Sequence, residues 1–311
     1  MILMDNGIRK LIYIVPKRFD GKYLKDFLVS QGFSQELIKH IKKTLGLDMF
    51  HILSSGEEIK IDIIEDENSN IEPNPNLKYE ILYEDEDMIV VNKPSDMPIH
   101  PSQGNHLNTL GNAISAHFSG QNFVYRPITR LDRDTSGVCL IAKNKFSASI
   151  FSEHIAKNLI KRSYIGLVKG NIYNALYINP NLKSIKHLND FTDLELIIDS
   201  PIKRVNDSTI ERCVAPDGEL AITKVFALKY YEKHDISLCK FILLTGRTHQ
   251  IRVHMKHIGY PIIGDFLYNP DYSLIKRQAL HSSELLMNHP ITHEMMRFDA
   301  KVPDDMNEII L

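Results

Sequence analysis

The sequence has little from which to build a disulfide framework, a metal knuckle or a membrane span. Its 311 residues include only three cysteines, Cys139, Cys213 and Cys239, widely spaced and odd in number. They read as reduced core thiols of a cytosol-like compartment. Apolar stretches such as 137–142 end after about six residues, whereas a membrane-spanning helix needs ~20. The first ten residues contain Asp5 and no apolar region ahead of a small-residue cleavage site, so no signal peptide is expected. The chain is therefore expected to be soluble and cytoplasmic, with no membrane partner. No GxGxxG follows a strand pattern, and GxxxxGK(S/T) and GxSxG are missing, which leaves nucleotide cradles and the hydrolase elbow without support. His249, His254 and His257 do not match HExxH, and His289 and His293 lack a third ligand, so no metal site is expected.

What the chain does have is charge in blocks. The net charge is −2, but residues 9–43 hold nine Lys and Arg against three acids. Residues 57–96 hold three against thirteen, and residues 121–170 again nine against three. Two basic segments around an acidic one can still form a basic face, although solvated surface is an equal reading.

Apolar residues make up 43% of the chain, enough for a sizeable core, and the length suggests two domains. Residues 10–65 read as a compact unit: the strand LIYIV, the helix KYLKDFLVSQG, a second helix SQELIKHIKKTLG capped by Ser34 and stopped by Gly46, and the strand SSGEEIKIDI. In the second helix Lys39, Lys42 and Lys43 face outward. A polar stretch with two prolines follows, EDENSNIEPNPN, the clearest linker, across which few contacts are expected. The domains are thus placed at 1–75 and 76–311. In the larger one, strands and helices mix without regular βαβ alternation, so an α+β fold with a mixed, largely antiparallel sheet flanked by helices is expected, ahead of which sits a small N-terminal α/β unit. Residues 171–193 read as an insertion or long loop.

Two runs concentrate reactive side chains. In RPITRLDRDTSGVCLIAKN, Asp132 sits among Arg126, Arg130 and Arg133, just before a polar turn that enters an apolar strand. Neighbouring guanidiniums favour the carboxylate form, and an Arg–Asp ion pair with an Asx-type turn would explain the same residues. In TGRTHQIRVHMKHIGYPIIGDFLY, Thr245 to His249 pack donors into a turn, with Arg252 one turn on. Such a turn can grip phosphates, orient a carboxylate, or simply start a helix.

Together these runs resemble the RluA family of pseudouridine synthases, whose signature contains RLDxxTSG, then TGRTHQIRVH, then GxPIxGDxxY. Residues 90–102, 161–170 and 277–303 are similar to that family's opening strand and turn, its Lys-x-x-Tyr strand and its closing segment. The resemblance covers most of residues 77–311, in order. The N-terminal unit is similar to the small RNA-binding domain first known from ribosomal protein S-four, shortened after Gly46. Thr129 stands where the family usually has His, and 171–193 is longer than its usual link.

The resemblance implies isomerisation of uridine to pseudouridine in ribosomal or transfer RNA by a monomer that needs no cofactor. It makes Asp132 the catalytic residue, Arg247 its ion-pair partner, and Tyr164 the side chain that stacks on uracil. Arg130 would occupy the space left by the flipped base. Lys143, Lys161, Arg162, His249 and Arg252 are assigned to RNA contact, with Lys39, Lys42 and Lys43 on the N-terminal unit. The rival class is a non-catalytic RNA-binding protein or chaperone on the same scaffold.

Overall fold

The structure is a computed structural model, which describes residues 8–65, 70–175, 183–186, 194–206, 208 and 210–311. Its N-terminal unit pairs β1 (Ile8–Ile14) antiparallel with β2 (Glu58–Ile64), with α1 (Leu24–Ser30) and α2 (Gln35–Leu45) between them in sequence. Ser34 caps α2 by accepting the Leu37 N–H, and Gly46 ends it in the left-handed conformation at φ 65°. The lysines of α2 are exposed, as its periodicity predicts.

The larger part is α+β. Its strands are β3 (Glu80–Glu84), β4 (Met88–Lys93), β5 (Arg126–Pro127), β6 (Ser136–Ala142), β7 (Lys161–Lys169), β8 (Lys183–Lys186), β9 (Leu194–Asp199), β10 (Ile202–Arg204), β11 (Arg212–Val214), β12 (Ile222–Tyr231), β13 (Ile236–Leu243), β14 (Leu280–Asn288) and β15 (Met295–Asp299). The helices are α3 (Leu110–His117), α4 (Lys145–Ala156), α5 (Gln250–His257) and α6 (Asp304–Ile310). Eleven strands form one sheet in the order β3-β4-β6-β14-β7-β13-β12-β9-β8, with β15 beside β14 and β5 beside β6. Every pairing in it is antiparallel except β6 with β14. β6 is buried along its whole length, which is why it reads as an unbroken apolar run. Gly137 is required there: at φ 112°, a Cβ would lie 2.1 Å from the Ser282 carbonyl oxygen of β14. Strand β8 falls inside the expected insertion; the rest of that expectation beyond Ala175 lies outside the described residues.

The linker does not separate two independent bodies. Phe146 and Ile150 of α4 belong to the hydrophobic core of the N-terminal unit, and the Phe33 and Phe146 rings lie 4.3 Å apart. Arg9 donates to Asp87 from Nε at 3.1 Å and Nη2 at 2.8 Å, and both side chains are buried. Asp87 also accepts from Asn144 and Ser147, while Glu65 accepts from Arg126 and from the Lys145 backbone N–H. The expectation of few crossing contacts is therefore corrected. Apolar residues of α4 reach the N-terminal core, and Glu65 and Asp87 of the acidic block supply the polar partners.

The same junction brings Asp85, Asp87 and His289 together. Burial opposes the ionisation of Asp85, but His289, the Asp87 and Met88 N–H groups and Tyr83 outweigh it and hold its pKa down at about 2. Cys139 and Cys239 are buried free thiols, as core thiols are expected to be, whereas Cys213 on β11 is only half-buried.

Candidate active site

Asp132 lies in the turn between β5 and β6, where its carbonyl accepts the Thr135 N–H at 3.1 Å. The turn is anchored from below by Lys93, at the end of β4. Its fully buried Nζ donates to the carbonyls of Pro94, Met97 and Arg133 at 2.7–2.9 Å. Burial pushes the Lys93 ammonium down to about 8, and Asp132 and Asp134 partly offset that. Thr129, in place of the family's histidine, is buried and accepts the Leu140 N–H through its hydroxyl, fastening the same segment to β6.

The second run forms the opposite wall. The Gln250 side chain accepts from the Thr245 hydroxyl and the Arg247 N–H, and donates to Ile222 and Thr223 of β12, so it closes the 245–249 turn. His249 takes the left-handed conformation (φ 57°) immediately before α5. That phase points Arg252 into the protein and leaves Arg247 outside.

The ion pair is therefore different from the one expected. Arg252, 1% exposed, donates from Nη1 to Asp132 Oδ2 at 2.9 Å. Its Nε and Nη2 hold Asp265 at 2.6 and 2.7 Å. Arg247 instead pairs with Glu219 at 2.5 Å and donates to the Leu220 carbonyl. Arg252 is thus a buried partner of the carboxylate, not an exposed RNA contact, and Arg247 is not the partner of Asp132. Burial opposes the charge on Arg252, but Asp265 and Asp132 prevail and raise its pKa above the ordinary arginine value. Asp265 is positioned by Gly264, whose φ of 69° sits where a Cβ would lie 2.2 Å from the Arg277 carbonyl oxygen. Tyr268 and Phe266 set their rings 5.1 and 5.4 Å from the Arg252 guanidinium.

Asp132 keeps 26% of its side chain exposed and opens on a narrow cavity of about 60 Å³. Tyr164, Leu243, Ile251 and Leu280 give this cavity its apolar walls, and Arg130 and Arg247 also line it. Tyr164 is 4% exposed, and burial raises its pKa, so it is a neutral phenol at neutral pH. His249 places Nε2 3.9 Å from Asp132 Oδ1, while its Nδ1 is hydrogen-bonded to the Tyr268 hydroxyl at 3.0 Å. Burial lowers its pKa despite Asp132 nearby, which favours the neutral imidazole. An admitted base would have to widen this cavity, since small-molecule pockets start at ~300 Å³.

Other assignments divide. Arg130 is exposed at the rim, and the Asp134 carboxylate is held by Arg133 at 2.9 Å. Lys161 is exposed, and the Arg162 guanidinium lies against Gly246, where an added Cβ would approach it to 3.0 Å. Lys143 is corrected: its Nζ is buried against Glu84, at 2.8 Å, and the Asp85 carbonyl, so it does not face RNA. His254 is a structural residue, bonded to Thr223 and Ser200 and pushed down to about 4 by burial. Sequence reasoning missed Lys93, Asp265 and Tyr268 as site residues. The signal for the last two was a carboxylate and a tyrosine inside GxPIxGDxxY.

With this geometry in place, comparison with known proteins fixes the class. A family model for RNA pseudouridylate synthases matches residues 87–257, and the chain belongs to that family. It is 35% identical over 300 residues to the uncharacterized RNA pseudouridine synthase YjbO of Bacillus subtilis, covering 92% of this chain and 98% of that protein. It is 32% identical to the ribosomal large subunit pseudouridine synthase D of Buchnera aphidicola (subspecies Schizaphis graminum), covering 87% and 81%. Among solved structures, human RNA pseudouridylate synthase domain containing 1 superposes with a TM-score of 0.57 at 24% identity, over 76% of this chain and 90% of that one, which is a likeness of fold.

Proposed function

We propose that this protein isomerises specific uridines in structured RNA, with Asp132 as the catalytic residue and ribosomal RNA, as the name of the Buchnera relative suggests, ahead of transfer RNA as substrate. The observation that carries this reading is the geometry at Asp132. One carboxylate oxygen is held by a buried arginine while the side chain remains a quarter exposed, above apolar walls that include Tyr164. Isomerisation breaks the bond between uracil and ribose and rejoins the base through carbon, with no change of oxidation state. It calls for one charged, aimed carboxylate and a pocket for a flat ring. Arg252 orients Asp132, because its other face is already committed to Asp265. Tyr164 supplies a flat surface for the base, and Arg130 stands at the mouth from which the base must enter. Arg247 adds positive charge to that mouth, Arg162 lies against Gly246 of the neighbouring turn, and the exposed Lys161 is a further phosphate contact. The exposed Lys39, Lys42 and Lys43 of α2 serve as phosphate contacts on the N-terminal unit. The enzyme acts as a monomer in a reducing, cytoplasm-like compartment, in keeping with its three free thiols.

The test is release of tritium from RNA transcribed with [5-³H]uridine. Isomerisation frees the hydrogen at carbon 5, hydrolysis frees uracil, and a binding protein does neither. Tritium release by the wild type supports the reading. Free uracil or no reaction with both ribosomal and transfer RNA contradicts it.

A further inference from the structure

Beside the Asp132 cavity lies a second one of about 390 Å³, between the β10–β11 hairpin and the 246–248 turn. Five of its lining side chains are cationic: Arg130, Lys203, Arg204, Arg212 and Arg247. Among the described residues its one acidic lining group is Glu219, which is engaged by Arg247. Lys203 pairs with Asp217 at 2.9 Å. Arg212 uses Nη1 on the carbonyls of Ile210 and Glu211, and Arg204 and Arg130 make no side-chain hydrogen bond or ion pair among the described residues. Three guanidiniums facing one cleft without a carboxylate repel one another, and an anion would relieve that.

The cleft is closely packed at Gly218 and linked to the Asp132 site. Gly218 lies so close to β10 that a Cβ would approach the Ile202 carbonyl carbon to 2.6 Å. The Arg212 N–H donates to the Tyr268 hydroxyl at 2.9 Å, the same hydroxyl that bonds His249, and the Tyr268 ring stacks beside Arg252. One chain of contacts thus runs from the hairpin to Asp132. Arg130 and Arg247 line both cavities, so the two adjoin. A uridine turned into the Asp132 cavity stays covalently attached to its strand, and its neighbouring phosphates must lie just outside.

We infer that this cleft is a phosphodiester-binding site, in which Arg204 and Arg212 hold the RNA backbone next to the target uridine. The inference rests on the uridine-isomerising reading and adds a specific set of contacts to it. Arg204 is exposed and without a side-chain partner among the described residues, so Arg204→Ala should fold normally. The control is Lys233→Ala in the turn joining β12 to β13, at the opposite end of β13 from the 245–249 turn.

Tritium release and filter binding are measured on unmodified ribosomal and transfer RNA transcribed with [5-³H]uridine, across a series of salt concentrations. Arg204→Ala is expected to raise KM at least fivefold. The slope of log affinity against log salt should flatten by about 0.7–0.9, the value of one lost phosphate contact. Arg204→Lys should restore most of the slope, and Lys233→Ala should change neither quantity. If Arg204→Ala matches Lys233→Ala on an RNA that the wild type modifies, the cleft is not a phosphate site and the inference is overturned, with the isomerase reading intact. If the wild type releases no tritium from either RNA, that reading has failed and the inference falls with it.

Discussion

Arg252 donates to Asp132 and to Asp265 at once, at 2.9 Å to the first and 2.6–2.7 Å to the second. The two carboxylates are not equivalent. Asp265 is fully buried and consumes the fork of the guanidinium, whereas Asp132 takes a single Nη1 hydrogen bond and keeps an oxygen toward the cavity. Asp265 therefore fixes the arginine, and the arginine fixes the exposed carboxylate.

Arg252→Lys is expected to fold less stably and to lose at least a hundredfold in turnover, because a single ammonium cannot span both carboxylates. Arg252→Ala leaves Asp265 buried without its partner, a change that costs about 3–5 kcal/mol. Thermal melts together with tritium release check both variants. An Arg252→Lys enzyme with wild-type activity would show that the bridge is not needed.

Arg247→Ala should behave differently. Its ion pair with Glu219 is between exposed groups, and such pairs contribute about 0–1 kcal/mol. The melting temperature should hardly move, while RNA affinity falls and its salt dependence flattens. A large loss of stability would mean that Arg247 is buried in solution.

The contrast between these two arginines marks the limit of what the sequence made legible. The paired strands of the N-terminal unit, α2 with its serine cap and glycine stop, the apolar strand after Asp132 and the family were readable from local patterns. Which arginine of TGRTHQIRVH turns inward depends on where α5 begins. That start is set by the left-handed His249 and by the Gln250 side chain bonded to Ile222 and Thr223 of β12, 28 and 27 residues earlier. Lys143 was misread for a similar reason: its acidic partners lie on β3 and the turn after it, about sixty residues away in sequence. The linker was misread because the partners that cross it, Phe146 and Ile150 of α4 and the Asp87 carboxylate, lie far from it in sequence.

Removing residues 1–75 should consequently damage the larger domain. Phe146 and Ile150 would face water, and Asp87 would lose Arg9. The truncated protein is expected to aggregate or to melt well below the intact chain. In the full chain, Phe146→Ala should cost about 3–5 kcal/mol by opening a cavity between the two parts. A truncated protein that melts like the intact one would show that the two parts are independent.

Acid should destabilise the fold in a defined window. Burial holds His254 and His281 at about 4 in the folded protein, against an ordinary 6.5. Between those values the unfolded chain binds protons that the folded one does not, so stability falls as pH drops from about 6.5 to 4. These two residues should contribute up to about two protons taken up on unfolding in that range. Denaturant titrations from pH 7 to 4 read this directly, and His254→Gln should flatten the dependence. A stability that stays level across the window would contradict the buried, neutral imidazoles.

The most direct test of the account is Asp132→Asn, measured for tritium release from [5-³H]uridine RNA and for RNA affinity in the same preparation. Asparagine nearly preserves shape but cannot act as nucleophile or base, and the phosphate contacts that dominate affinity lie elsewhere. Turnover should vanish while affinity stays within about threefold of the wild type. A variant that retains more than about a tenth of wild-type turnover would contradict Asp132 as the catalytic group.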